Sequence, residues 1–105
     1  MVGAVCHGPI ALAGITLSNG DCLIKGKEVT GFCNEEEDAC GLWDILPERE
    51  GGKSCEQVMA AKGGRYKKTA AWGVQVCSDS RVVSGQNPMS AGATGAAVVE
   101  ALRKI

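Results

Sequence analysis

Apolar residues arrive in short bursts, separated by glycine, proline and charged punctuation. Val2 to Val5 is a small apolar run, which predicts a short buried strand. Pro9 to Ile15 predicts a helix with Pro9 in its first turn, where a missing N–H costs least. Ser18-Asn19-Gly20-Asp21 is a turn cluster. Cys22 to Ile24, then Lys25-Gly26-Lys27, predicts a tight turn feeding a strand over Glu28 to Phe32. Ser54 with Gln57 three residues on is a capping box, and it opens a helix to about Lys62. Gly63-Gly64 stops that helix. Tyr66 to Thr69 reads as a strand. Trp72 to Cys77 and Arg81 to Ser84 read as a hairpin around Ser78-Asp79-Ser80. Asn87 as cap and Pro88 at the first helical position start the last helix. Its apolar stripe is Ala91, Gly95, Val98, Leu102 and Ile105, with Arg103 and Lys104 at its negative end.

Strands and helices alternate, which gives an α/β class. No repeat or long linker divides the 105 residues, so one domain is expected. The chain is 45% hydrophobic and 22% charged with a formal net charge of -1, a balance that argues against a nucleic-acid partner. The Val2 to Leu17 run is broken by His7 and Pro9, so no membrane span is expected. No basic segment precedes an apolar one, so no signal peptide is visible.

The six cysteines have no C-x-x-C pair, and the only histidine adjoins Cys6. Those spacings argue against structural zinc and against a disulfide framework. Unpatterned thiols point to a reducing, cytoplasmic compartment.

The densest chemistry is Met1-Val2-Gly3-Ala4-Val5-Cys6-His7-Gly8-Pro9. A strand runs into a Cys-His pair and then into a helix, the order of a nucleophile elbow. Such a turn projects the thiol out of the sheet, and the positive helix end favours a thiolate. On the residues alone, Cys6 is equally a small buried residue at a strand end. His7 is suited to move protons near neutrality, and is otherwise a locally bonded residue at a helix start. The backbone N–H of His7, following the nucleophile, is the natural oxyanion donor. The run Glu35-Glu36-Glu37-Asp38 reads on its own as a solvated acidic turn.

Ala4-Val5-Cys6-His7-Gly8-Pro9 resembles the elbow of the DJ-1/PfpI superfamily. Ile24-Lys25-Gly26-Lys27 with Val29-Thr30-Gly31-Phe32 is similar to the family's segment after the elbow helix. Glu36-Glu37-Asp38 before Gly41 resembles the branch similar to heat-shock-protein-31-like glyoxalase III. Trp72-Gly73, then Val82-Val83-Ser84-Gly85-Gln86-Asn87-Pro88 and Ser90, resembles its closing hairpin and last helix. Residues 16 to 22 and 47 to 55 are the least family-like.

The resemblance implies a flavodoxin-like α/β sandwich, related to class I glutamine amidotransferase domains. It implies that this is the C-terminal half, with an N-terminal half that supplies a glutamate and an oxyanion glycine N–H. It implies Cys6 as nucleophile, His7 as general acid/base and Asp38 as the group orienting His7, with Glu37 as the close alternative. Trp72 and Phe32 are expected in the core or the pocket wall. Gly8, Gly31, Gly85 and Asn87-Pro88 are expected to be structural.

The activity so implied is a glutathione-independent glyoxalase III-type lyase, turning methylglyoxal into lactate without metal or cofactor. Other readings are a stress-response holdase or redox-sensing protein, a PfpI-type amidase or peptidase, a protein deglycase, and an inactive truncated product with an open strand edge. A homodimer is expected, or a second chain that supplies the other half, with a small reactive aldehyde as substrate.

Overall fold

A computed structural model describes residues 1–105 as a mixed α/β fold. The elbow strand β1 (Val2–Val5) pairs in parallel with β5 (Val82–Gly85), and β5 pairs antiparallel with β4 (Val76–Asp79). The sheet order is therefore β1-β5-β4. The register sets Val2 opposite Val82 and Val5 opposite Gly85. β5 is buried at all four positions, as expected of a central strand. β1 and β4 are the two outer strands. Val2 and Cys6 donate to the Arg81 and Gly85 carbonyls, so Gly3 and Val5 turn their backbone groups outward.

A parallel pair requires a long crossover. Here it carries α1 (Asn34–Cys40), α2 (Cys55–Ala61) and a small parallel ribbon of β2 (Glu28–Val29) with β3 (Arg65–Tyr66). Leu12, Ile24, Val29, Phe32, Val58, Met59 and Val82 form the core beneath this crossover. The last helix, α3 (Ala91–Arg103), packs on β1, β5 and β4. It comes close because Gly3 has no side chain: a Cβ there would lie 2.7 Å from Val98 Cγ2.

The predicted punctuation is where the structure has it. Ser54 and Gln57 exchange both capping-box bonds, and the Asn87 side chain accepts from the Ser90 N–H. Several boundaries differ, each for a physical reason. The Pro9 segment is a 3-10 helix over Gly8–Gly14 rather than an α-helix. The strand from Glu28 ends at Val29, because Thr30 N–H donates to Ser84 Oγ (3.0 Å) and Phe32 N–H to the Cys6 carbonyl (2.8 Å). The Tyr66 strand is only Arg65–Tyr66. Trp72 to Gln75 is not strand: Trp72 has φ 68°, a left-handed conformation that no strand contains. The acidic run is the helix α1, not a solvated turn, and Glu36 and Glu37 are fully buried.

The buried face of α3 is rotated from the expected stripe. It runs through Thr94, Ala97, Val98 and Ala101, while Ala91, Gly95, Leu102 and Ile105 are exposed. A single helix over three strands is covered along only one narrow face, and the larger side chains project past it.

Gly31 faces a second tight approach. A Cβ there would lie 2.3 Å from Cys55 Sγ and 3.3 Å from Pro9 Cβ. Gly31→Ala is expected to destabilise the fold by about 1–3 kcal/mol through overpacking, read as a lower urea midpoint.

Candidate active site

Cys6 stands at the end of β1 with φ 66°, a left-handed backbone on a residue with a Cβ. Such a conformation costs on the order of 1–3 kcal/mol and persists only where the surroundings fix it. They do so from both sides. Cys6 N–H donates to the Gly85 carbonyl (3.0 Å), and the Cys6 carbonyl accepts from Phe32 N–H (2.8 Å). The central strand and the segment after β2 therefore hold the elbow open, with its thiol half-buried.

His7 follows with its Nδ1 3.7 Å from Cys6 Sγ. Its other nitrogen, Nε2, lies 2.8 Å from Oε2 of Glu37. Glu37 is fully buried, while the imidazole is 40% exposed, open enough to meet a ligand. An ionised carboxylate only accepts, so Nε2 carries the hydrogen. In the neutral ring Nδ1 is then bare and faces the thiol as a base.

The structure brings Cys6, His7 and Glu37 together and leaves Asp38 outside. Asp38 is exposed and accepts from the Trp43 indole N–H (2.6 Å). The reason is helical geometry: Glu36 and Glu37 lie on the inner side of α1, and the next residue turns outward. The family resemblance implies Asp38 with Glu37 as the close alternative, and nothing in a four-acid run marks which of them faces inward.

No family model matches the chain. Curated relatives do. It is 36% identical over 104 residues to Glyoxalase 3 of Candida albicans, covering 96% of this chain and 43% of that protein. It is 35% identical over 105 residues to the glutathione-independent glyoxalase HSP31 of Saccharomyces cerevisiae, covering 98% and 44%. The crystal structure of glyoxalase III from Candida albicans superposes with a TM-score of 0.85 at 36% identity, over 96% of this chain and 43% of that one. The chain belongs to the DJ-1/PfpI superfamily. Another solved structure, the Rapid Encystment Protein 24 KDa of Francisella tularensis, superposes with a TM-score of 0.88 at 38% identity, over 97% and 43%. This DJ-1/PfpI chain thus spans less than half the length of the relatives it matches.

Electrostatics around the elbow of this DJ-1/PfpI chain run against a resting thiolate. Burial pushes the Cys6 thiol above its ordinary value, and the charges of Glu36 and Glu37 add to the push. The His7 backbone N–H opposes them but does not prevail. The helix-end activation expected from the sequence is therefore outweighed, and the thiol form of Cys6 is favoured.

Glu36 is a further buried carboxylate that the sequence does not single out from its acidic run. This fully buried carboxylate accepts from Trp72 N–H (2.8 Å), Asn87 Nδ2 (2.7 Å) and Cys33 N–H (3.1 Å). Burial alone would raise its pKa, but these bonds outweigh it and hold the carboxyl below its ordinary value. A signal was present: Glu36 stands three residues after the α1 cap, as in a capping box. It was masked because the cap is Cys33 rather than Ser or Thr.

Beside His7 lies a cleft of about 260 Å³, lined by Ile10, Leu42, Ile45 and Leu46 with Arg49 and Lys53. The least family-like stretch, 47 to 55, thus contributes Arg49, Lys53 and Cys55 to its wall. A larger groove of about 750 Å³ lies near Met1 and Lys104 and includes none of Cys6, His7 and Glu37. Cys33, Glu35 and Glu56 also cluster, but the Lys68 ammonium binds both carboxylates at 2.8–3.1 Å and fills the position a cation would take.

Burial pushes the Cys33 and Cys55 thiols up to about 12, from an ordinary value of 9.0. Unfolded thiols ionise near 9 and folded ones do not, so above that pH the unfolded state binds fewer protons. The stabilisation is complete below pH 9 and is lost as pH climbs toward 12. Urea midpoints should fall steeply over that window, and less steeply in a Cys33→Ala/Cys55→Ala variant.

Proposed function

We propose that the protein acts as a glutathione-independent glyoxalase of type III, with Cys6 as nucleophile, His7 as general acid/base and Glu37 as the group that orients His7. One observation carries this: the line from Cys6 Sγ to His7 Nδ1, and from His7 Nε2 to buried Glu37. The names of the glyoxalase relatives support it. Methylglyoxal is the substrate, and the protein thiol does the work that free glutathione does elsewhere.

As the sulfur adds to the aldehyde carbon, its proton passes to His7 Nδ1. Charge developing on the aldehyde oxygen is met by the His7 backbone N–H, and the oxygen is then protonated to a hemithioacetal. A proton leaves the former aldehyde carbon and another is delivered to the neighbouring carbon, while the first carbon's hydroxyl gives up its proton and the neighbouring oxygen gains one, giving a lactoyl thioester. Water cleaves the thioester to lactate and restores the thiol, so one methylglyoxal and one water become one lactate. Glu37 keeps the imidazolium in place while it holds the proton. A further carboxylate outside these residues assists the carbon-to-carbon transfer in this reading.

The same reading places the chain in one flavodoxin-like sandwich, whose remaining strands extend the sheet from β1. The outward backbone groups of Gly3 and Val5, and relatives more than twice as long, support it. Six unpaired thiols fit a cytoplasmic location. No helix is long and apolar enough to cross a membrane.

The test is lactate formation from methylglyoxal without glutathione, by the wild type and by Cys6→Ala. Lactate that disappears in Cys6→Ala supports the reading. Absence of lactate from the wild type, or equal lactate from both, rejects it.

A further inference from the structure

His7 is not held by Glu37 alone. A hydrogen bond at one ring nitrogen fixes where that nitrogen sits, but it leaves the ring free to tilt about the bond. The face of the imidazole meets Phe32, whose ring centroid is 4.2 Å away at an interplanar angle of 35°. Phe32 is 2% exposed, and its own backbone N–H grips the Cys6 carbonyl. One residue therefore touches both halves of the Cys-His pair. Behind it Trp72 packs edge-on, with centroids 5.7 Å apart at 68°.

Trp72 is an unusual choice for such a support. It is exposed at 38%, it sits in a turn, and its backbone is left-handed at φ 68°. Bulky residues rarely adopt that conformation unless something compels it. The compulsion is visible. Buried Glu36 takes the Trp72 N–H at 2.8 Å, and Asn87 Nδ2 bridges Glu36 (2.7 Å) and the Gly73 carbonyl (2.7 Å). Asn87 is itself fixed by Ser90, which donates to its Oδ1 from both backbone and hydroxyl. Two buried polar side chains thus pinch the turn that presents the indole.

We propose that Phe32 and Trp72 are positioning residues for His7: a three-ring stack, pinned at its outer end by Glu36 and Asn87, that holds the imidazole in line between Cys6 and Glu37. Adjacent residues of α1 divide the labour, Glu37 holding the ring's edge and Glu36, through Trp72, holding its face. Phe32 and Trp72 act through His7, the ring of the stack that faces Cys6. The stack sets the angle at which Nδ1 meets the thiol, and a small misplacement of a catalytic base is costly in rate. The catalytic consequence rests on the glyoxalase reading above, whereas the stack's hold on His7 does not.

The test uses Phe32→Leu, Trp72→Leu and Trp72→Phe, with Leu12→Ala as a control that weakens the core outside the stack. His7 is the only histidine, so its imidazole signals are unambiguous in an NMR spectrum. With the ring centroids 4.2 Å apart, its ring protons lie within the Phe32 ring current and should shift in Phe32→Leu. In Trp72→Leu they should broaden or shift, in Trp72→Phe return toward wild type, and in Leu12→Ala stay in place despite lower stability. With methylglyoxal, kcat should fall about tenfold or more in both Leu variants at nearly constant KM. Unchanged His7 signals in Trp72→Leu, or equal displacement in Leu12→Ala, would overturn the proposal. Trp72 is partly exposed, so its variants keep the question answerable if Phe32→Leu does not fold. Altered imidazole signals without lactate in any protein would uphold the stack and reject only the glyoxalase reading.

Discussion

Glu37→Gln is expected to lower methylglyoxal turnover by about two to four orders of magnitude, while Asp38→Asn stays within about twofold of wild type. The carboxylate of Glu37 accepts the Nε2 hydrogen of His7 and so leaves Nδ1 bare toward Cys6. A glutamine has the same shape but can offer its NH₂ to that nitrogen. The ring then flips its proton to Nδ1, and the base facing the thiol is gone. The loss is severe here because Cys6 rests as a thiol: burial and two nearby carboxylates push its pKa up, so a competent base is required. Asp38 is engaged with the Trp43 indole on the outer side of α1 and has no path to His7. Turnover that survives Glu37→Gln and collapses in Asp38→Asn would reverse the assignment.

Glu36→Ala should cost about 3–5 kcal/mol of stability, because it removes the buried acceptor shared by three donors and leaves the two backbone N–H groups among them with no other. Trp72 N–H and Cys33 N–H lose their partner at once, and Asn87 Nδ2 keeps only the Gly73 carbonyl. For a small domain, with total stability on the order of 5–15 kcal/mol, that is a large share. Glu36→Gln keeps the shape and one acceptor and should cost less. The pH dependence has a definite sign. The Glu36 carboxyl is held below its ordinary value of 4.5, so its contribution is present above that pH and is lost on acidification through the lowered value. Urea unfolding of wild type and Glu36→Ala between neutral and acid pH reads both effects. A difference under about 1 kcal/mol at neutrality would show that the bracket is not structural.

Local signals carried well from sequence to structure. A small apolar run became β1, Ser54 and Gln57 capped α2, and Asn87-Pro88 opened the last helix. Each depends on neighbours within a few residues. The failures share the opposite property. Trp72 reads as strand by composition, yet its conformation is dictated by Glu36, thirty-six positions earlier. The acidic run reads as solvated, yet two of its carboxylates are buried against Asn87 and His7. Of the expected α3 stripe, Val98 meets the sheet at the slot left by Gly3, while Ala91, Gly95, Leu102 and Ile105 are exposed. The Cys-His pair was legible because an elbow is a local turn. Its partner on α1 was not, because choosing between Glu37 and Asp38 requires the helix's orientation.

The most direct measurement is the ¹⁵N NMR spectrum of the His7 ring at about pH 8, where an ordinary imidazole is neutral, in wild type, Glu37→Gln and Asp38→Asn. The geometry predicts a hydrogen on Nε2 and a bare Nδ1 in the wild type and in Asp38→Asn. In Glu37→Gln the hydrogen should shift toward Nδ1. A wild-type ring protonated on Nδ1, or a tautomer that responds to Asp38→Asn and not to Glu37→Gln, would contradict the Cys6-His7-Glu37 relay.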